Sequence, residues 1–352
     1  MLDLSEDRLY AALSNRDPAY EGRAFVGVTS TGIFCRLTCP ARKPKPQNCR
    51  WFTSANAAQA AGFRPCKRCH PAGATAEGDA DVTRLRAAIE ADPARRWSEA
   101  DVAEMGMDPS TIRRAFRRHF GMTFLQMARE ARLREGARRM AGGDAVIEAQ
   151  LDAGFDSASG FRQAFARLFG HPPAAMRGGG GLVADWIDTP LGGMIAVADD
   201  AALHLLEFTD RKALKGQLAK LSKDAGGRIG LGQSEMTRET ARQLAGFFAG
   251  DRARFDLTLS PHGTTFQRRV WDALIRIPAG ETRSYAEVAQ AIGQPTATRA
   301  VARANATNGI AIVIPCHRVI GADGSLTGYA GGLWRKEKLI AVERGYASPE
   351  SA

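Results

Sequence analysis

Two sets of cysteines, at opposite ends of the chain, have the surroundings that sulfur chemistry needs. Near the carboxy terminus, Pro315-Cys316-His317-Arg318 closes an apolar run, Ile310-Ala311-Ile312-Val313-Ile314, that reads as a buried strand, with Asn308 just ahead of it. A thiol fixed at the end of a rigid strand, with an imidazole beside it, is positioned and kept nucleophilic. Near the amino terminus, Cys35-x-x-x-Cys39 and Cys66-x-x-Cys69 form two short-spaced pairs separated by a helix-like segment from Ser54 to Ala61. That is the ligand arrangement of a tetrahedral zinc site. Cys49 fits neither pair; it and His70 stand as fallback ligands. A zinc ion held by four thiolates carries a formal charge of about −2 and keeps its sulfurs ionised at neutral pH. Such a sulfur can accept an alkyl group, and the thioether then lowers the negative charge by one unit, which eases repulsion beside DNA phosphates. The plain alternative for either set is a buried structural thiol or a purely structural zinc knob.

The segments between the cysteines decide between these readings. At 352 residues the chain is long enough for two to four domains. Its net charge of +10 favours a polyanionic partner, nucleic acid before membrane. No apolar run approaches ~20 residues, no leader pattern is visible, and clustered cysteines suit a reducing compartment, so a cytoplasmic protein is expected. Residues 71–80 and 177–181 are small, turn-forming stretches that read as linkers.

Between those linkers an internal echo, Ala115-Phe116-x-x-x-Phe120-Gly121 and Ala164-Phe165-x-x-x-Phe169-Gly170, shows one unit used twice. In the first unit a helix from about Trp97 to Met105 is followed by a turn at Gly106-Met107 and a second helix. Asp108-Pro109-Ser110 launches that helix with an N-cap and a proline at its first position. Ile112, Ala115, Phe116 and Phe120 make its apolar stripe, while Arg113, Arg114, Arg117, Arg118 and His119 are expected to face outward. In the second unit, from Val146, Asp156 or Ser157 caps a helix carrying Arg162, Gln163 and Arg167. A basic helical face alone is usually solvated surface. Two helix-turn-helix units joined by a long Phe124–Met140 helix could instead enter successive major-groove segments.

Three resemblances follow from these residues. Gly32-Ile33-Phe34-Cys35-Arg36, Cys39, Ala41-Arg42 and Ala61-Gly62-Phe63-Arg64-Pro65-Cys66-Lys67-Arg68-Cys69 resemble the zinc domain of the Ada family of methylation-response proteins. The resemblance implies that Cys35 takes methyl groups from DNA phosphotriesters, that Cys39, Cys66 and Cys69 complete a single zinc site, and that Arg42 contacts phosphate. Residues from about Thr83 to Met176 resemble the paired helix-turn-helix domain of AraC-type regulators, with Gln150 where a small residue is common at the helix crossing. Phe266 to Glu343 resembles the O6-alkylguanine-DNA alkyltransferases through Ile277-Pro278-x-Gly280, Ser284-Tyr285, Arg299-Ala300-Val301, Pro315-Cys316-His317-Arg318-Val319 and Gly328-Tyr329-x-Gly331-Gly332. That implies Cys316 as methyl acceptor, His317 as its base through a bridging water, and Glu343 as the carboxylate that orients His317. It also implies Tyr285 and Arg299 as the pair that turns the nucleotide out of the stack, Tyr329 as the group polarising guanine, and Asn308 as the brace of the active-site turn. Gly309 stands where many relatives have proline.

The expected fold is multidomain α+β: a small zinc-binding α+β domain (1–75), an all-α paired helix-turn-helix domain (82–177), and an α+β alkyltransferase unit. That unit divides into a sheet-containing scaffold without catalytic residues (182–262) and a helical, winged-helix-like catalytic part (263–347). The expected function is a single-turnover DNA repair methyltransferase whose methylation at Cys35 switches on transcription of an alkylation response. Arg113, Arg114 and Arg117 are the expected promoter contacts. Partners are double-stranded DNA and, for an activator, RNA polymerase; one Zn2+ is the only cofactor, and the chain is expected to be monomeric. A regulator or lesion sensor with a structural zinc site and little transferase activity is the competing reading.

Overall fold

The computed structural model describes residues 5–17, 20, 24–66, 68–69, 71, 80–176, 181–224, 226 and 229–346, apart from the side chain of Asn56. Most of both linker segments, and His70, lie outside the described residues. The chain divides into two compact units, Met1–Arg84 and Leu85–Ala352.

The first unit opens with α1 (Glu6–Asn15) and then builds a sheet from β1 (Phe25–Val28), β2 (Ile33–Arg36), β3 (Cys49–Phe52) and β4 (Arg64–Pro65), in the order β3-β1-β2-β4. The helix-like segment between the cysteine pairs is α2 (Ala55–Ala60), with the Ser54 hydroxyl accepting from the Ala57 amide. Strand β2 pairs antiparallel with β1 and parallel with β4. The parallel pairing carries the chain past Phe34, whose carbonyl accepts from the Cys66 amide at 3.0 Å. Residues 31 positions apart in sequence, Ile33 with Arg64 and Phe34 with Pro65, are thereby brought side by side.

In the second unit, α3 (Ala80–Ala91) includes the division point, and the paired units follow as α4 (Glu99–Glu104), α5 (Pro109–Phe120), α6 (Phe124–Ala141), α7 (Val146–Asp152) and α8 (Ala158–Phe169). The caps are the expected ones: Asp108 accepts from the Thr111 amide with Pro109 at the first turn, and Ser157 rather than Asp156 caps α8. Helix α4 starts later than expected because Ser98 and Asp101 close a capping box, leaving Trp97 outside to stack edge-on against Phe124 at 5.0 Å. The echoed phenylalanines pair in the same way in both units, Phe116–Phe120 at 5.4 Å in one and Phe165–Phe169 at 4.4 Å in the other. His119 does not face outward. It sits seven residues after Ile112, so it falls on the apolar stripe and is buried against Phe120. Arg113, Arg114, Arg117 and Arg118 are exposed as expected. Gln150 is buried, and its amide donates to the Phe155 carbonyl at 3.0 Å, so the polar side chain at this crossing is satisfied locally.

A second sheet comprises β5 (Leu182–Thr189), β6 (Gly192–Ala198), β7 (Leu203–Phe208) and β8 (Ile229–Leu231), ordered β7-β6-β5-β8, with α9 (Leu214–Asp224) and α10 (Glu235–Ala249). The catalytic part supplies α11 (Thr265–Ile275), β9 (Arg283–Ser284), α12 (Tyr285–Ala291), α13 (Thr298–Ala306), β10 (Val319–Ile320) and α14 (Leu333–Tyr346). Alternate residues of β6 go to opposite faces: Met194, Ala196 and Ala198 join the core with Val270, Trp271 and Leu274 of α11 and Val301 of α13. Ile195 and Val197 join Leu218 of α9 and Phe165 and Phe169 of α8. Both faces being covered explains why β6 reads as a continuous apolar run.

The run Ile310–Ile314 is not a strand. It is a buried turn in which the Ile314 amide donates to the Ile310 carbonyl at 3.0 Å and Ile312 takes a left-handed φ of 70°, and it leads into a 3-10 turn at Cys316–Arg318. A fully buried loop and a fully buried strand share the same apolar composition, and periodicity does not separate them over five residues.

Candidate active site and metal centre

Asn308 creates the geometry around Cys316. Its Oδ1 accepts from the Ile310 amide at 2.9 Å, while its Nδ2 donates to the Ile314 carbonyl at 2.9 Å and lies 3.1 Å from the Cys316 Sγ. One buried amide therefore folds the 310–314 turn and holds the sulfur. The backbone here has tertiary support too, because the Leu206 amide donates to the Gly309 carbonyl and the Ala311 amide to the Leu206 carbonyl, at 2.9 and 2.7 Å. A side chain at position 309 would meet only Gln217 Nε2 at 3.4 Å and Leu205 at 3.9 Å, so glycine there is not forced by crowding.

His317 is fully buried, with Nε2 2.8 Å from Glu343 Oε1. Glu343, on α14, also accepts from Arg318 Nε at 2.9 Å and Nη2 at 2.7 Å, and from the Gly280 amide at 3.3 Å. Burial alone would raise this carboxyl, but the hydrogen bonds and charges of His317 and Arg318 override it and hold Glu343 at about 2. Burial pushes the His317 imidazolium down, against the pull of Glu343, so the ring is a neutral base at physiological pH. Its Nδ1 is buried with no protein partner. Burial also pushes the Cys316 thiol up, opposed by the Asn308 bond and by the charges of Arg211 and Lys336. At rest the sulfur is a thiol beside a neutral imidazole, and ionisation requires the base.

Two of the expected substrate-handling residues, Tyr329 and Tyr285, lie near this centre. Tyr329 is buried 6.5 Å from the His317 ring, its hydroxyl without a partner, and burial drives its pKa well above the usual value. Tyr285, at the start of α12, is half-buried with its hydroxyl 3.4 Å from the Thr327 carbonyl. Gly328 is needed beside it: φ is 65°, and a Cβ would lie 2.4 Å from that hydroxyl. Arg299 is exposed on α13, and Asn305 at the other end of the same helix donates to the Cys316 carbonyl at 3.3 Å. The helix presented outward and the buried sulfur thus share one rigid piece.

The scaffold, expected to carry no site residues, contributes to the wall of this cavity. Glu207 of β7 and Arg211 line it together with Cys316, Asn308 and Tyr329, and they form a buried ion pair. The sequence signal was slight: one acid in a mostly apolar strand and a base four residues later, a spacing that also describes ordinary surface pairs.

In the first unit the Sγ atoms of Cys35, Cys39, Cys66 and Cys69 all lie within 4.8 Å of one another. Zinc bonded to four sulfurs at ~2.3 Å sets neighbouring sulfurs about 3.8 Å apart, so the four cysteines fit one such ion. Cys35 is on β2, Cys39 in the turn after it, and Cys66 directly after β4. Cys49 is outside the cluster, at the start of β3 with its thiol donating to the Lys45 carbonyl at 3.4 Å. Arg42 is exposed in the loop that follows Cys39.

Comparison with known proteins matches three family models: the metal binding domain of Ada at residues 8–72, a helix-turn-helix domain at 102–179, and the 6-O-methylguanine DNA methyltransferase DNA binding domain at 265–345. The chain is 36% identical over 350 residues to the bifunctional transcriptional activator/DNA repair enzyme Ada of Escherichia coli, covering 97% of each chain. It is 33% identical over 352 residues to the regulatory protein ada of Salmonella typhimurium, again covering 97% of each. A methylated-DNA–protein-cysteine methyltransferase of Methanosarcina acetivorans is 46% identical over 156 residues, 44% of this chain and 94% of that one. Near-complete coverage at this identity, with the zinc cysteines and the Cys316-His317-Glu343 set assembled in the same chain, means that the protein belongs to the Ada family.

Proposed function

We propose that this protein is a methylated-DNA–protein-cysteine methyltransferase that repairs alkylated double-stranded DNA and regulates transcription in response. The observation that carries the repair reading is the buried line Glu343–His317 ending beside a sulfur held by Asn308. Glu343 orients His317, and the imidazole takes the Cys316 proton at Nδ1, through a water given the bend of the 3-10 turn. The sulfur then attacks the methyl carbon of O6-methylguanine; the S–C bond forms, the C–O bond breaks, and the electron pair leaves with guanine, polarised by Tyr329. Tyr285 and Arg299 are the candidates for bringing the nucleotide out of the stack to a sulfur that is otherwise out of reach. The thioether has no route back, so each acceptor works once.

In the first unit Cys35 is the proposed acceptor from methylphosphotriesters, with Arg42 at the phosphate. Bound zinc keeps its four sulfurs as thiolates at neutral pH. Conversion of Cys35 to a thioether removes one negative charge and favours promoter contact through Arg113, Arg114 and Arg117. The working segments are 1–75, 82–177, 182–262 and 263–347, in a cytoplasmic protein that acts as a monomer and engages RNA polymerase when it activates. Among the described residues no helix is long and apolar enough to cross a membrane. Intact mass after mixing with DNA bearing both lesions tests the reading: two added methyls are expected, one with Cys35→Ala and one with Cys316→Ala. Unchanged mass with both lesions present overturns it.

A further inference from the structure

Arg211, from the scaffold, reaches into the surroundings of Cys316. Its guanidinium donates through Nη1 to the Asn308 carbonyl at 2.8 Å and through Nη2 to the Ala306 carbonyl at 2.7 Å. Ala306 is the last residue of α13, whose final carbonyls have no partner within the helix and carry the negative end of its dipole. Arg211 is therefore a C-terminal cap supplied from elsewhere in the fold. Its side chain is almost wholly buried, and the buried Glu207 carboxylate neutralises it. Glu207 is fixed in turn, with Oε1 accepting from the Phe208 amide at 3.0 Å. The preceding residue, Leu206, is the one whose backbone clamps Gly309 and Ala311. Strand β7 thus grips the active-site turn twice, once by backbone and once by the Glu207–Arg211 pair.

We propose that Arg211, held by Glu207, is a positioning residue for methyl transfer: it locks the end of α13 to the Asn308 peptide and presents positive charge to the Cys316 sulfur as it ionises. The proposal rests on the reading of Cys316 as the methyl acceptor. Burial of a charged pair is expensive unless the geometry uses it, and here both ends of the pair are committed to carbonyls, an amide and one another around the sulfur. The direction of the Cys316 shift agrees, since the Arg211 charge is among the influences that favour the thiolate. Lysine cannot replace the function fully, because a single ammonium lacks the planar fork that reaches two carbonyls while pairing with Glu207.

The test uses the full-length zinc-loaded protein, Arg211→Lys, and the charge-neutral pair Glu207→Gln/Arg211→Met. Three quantities are measured: single-turnover transfer from an O6-methylguanine duplex against pH, DNA-free alkylation of Cys316 by iodoacetamide against pH, and thermal melting. In the neutral pair the alkylation midpoint is expected to move up by about one pH unit, a tenfold loss of thiolate at a given pH, with transfer slowed at least tenfold. In Arg211→Lys the midpoint is expected to stay near wild type while transfer still slows, because the charge survives and the fork does not. A folded neutral pair with the wild-type midpoint and rate overturns the proposal; if that pair fails to fold, Arg211→Lys decides, and wild-type transfer by it overturns the proposal equally. Failure of the wild type itself to accept methyl from the duplex sinks the acceptor reading instead, while the iodoacetamide midpoints still report whether Arg211 acts on the sulfur.

Discussion

At the scale of single residues, the site separates the group that reacts from the groups that make reaction possible. Cys316 rests as a buried thiol, and the neutral imidazole beside it is neutral because burial outweighs the Glu343 charge. Glu343 is the keystone, serving His317, Arg318 and the Gly280 amide at once. Glu343→Gln is expected to slow methyl transfer by about 10²-fold and to lower the melting temperature, because the Arg318 charge loses its partner; stopped-time transfer assays and melting curves check both. The carboxyl is held at about 2 in the folded protein, below its unfolded value of about 4.3. Its stabilisation is therefore complete above about 4.3 and is lost as pH falls through 2. Urea unfolding of wild type and Glu343→Gln should accordingly converge as pH drops across that window, and parallel curves would contradict the assignment.

At the scale of elements, helix α13 carries an outward arginine at one end and the Asn305 contact to the Cys316 backbone at the other. Arg299 is exposed, so Arg299→Ala should leave stability within about 0.5 kcal/mol while cutting transfer from duplex substrate about tenfold or more. Transfer from the free base, where no nucleotide has to be turned out, should be affected far less; equal losses on both would remove Arg299 from that role. Helix α6 shows a different kind of coupling. Its Glu130 accepts from the Thr209 hydroxyl, just past β7, at 2.7 Å, and burial raises its pKa to about 7. A carboxyl raised in the folded state stabilises fully below its unfolded value of about 4.3, and that contribution is lost as pH rises through 7. Glu130→Gln should therefore gain on wild type by about 2 to 3 kcal/mol between pH 5 and pH 8, as read by urea midpoints.

At the scale of the whole molecule, two compact units carry the two proposed acceptor sulfurs in different chemical settings, one among four clustered cysteines and one alone in an apolar turn. Zinc removal should therefore separate them. Chelator is expected to abolish phosphotriester transfer and to broaden the NMR resonances of the first unit, since binding energy at such sites is largely folding energy. Transfer to Cys316 should persist. Methylation of Cys35 should tighten promoter binding and change the slope of log affinity against log salt; superimposable isotherms for modified and unmodified protein would dissociate repair from regulation.

Local chemistry by itself determined much of this protein. Cysteine spacing specified a four-sulfur metal centre, cap residues such as Asp108-Pro109 and Ser157 specified where helices begin, and the repeated Ala-Phe-x-x-x-Phe-Gly pattern specified a doubled unit, because each of these signals is complete within a few neighbouring residues. Tertiary structure decided the rest. Whether Ile310–Ile314 extends or turns depends on one amide, Asn308, reaching Ile310, Ile314 and Cys316 at once, and an apolar run of five looks the same either way. His119 is buried because its spacing from Ile112 puts it on the stripe that docks, against the expectation from its polar type. Glu207 and Arg211 acquire their place at the sulfur only when β7 is laid against the 309–311 turn, a contact across about a hundred residues of chain that no local pattern encodes.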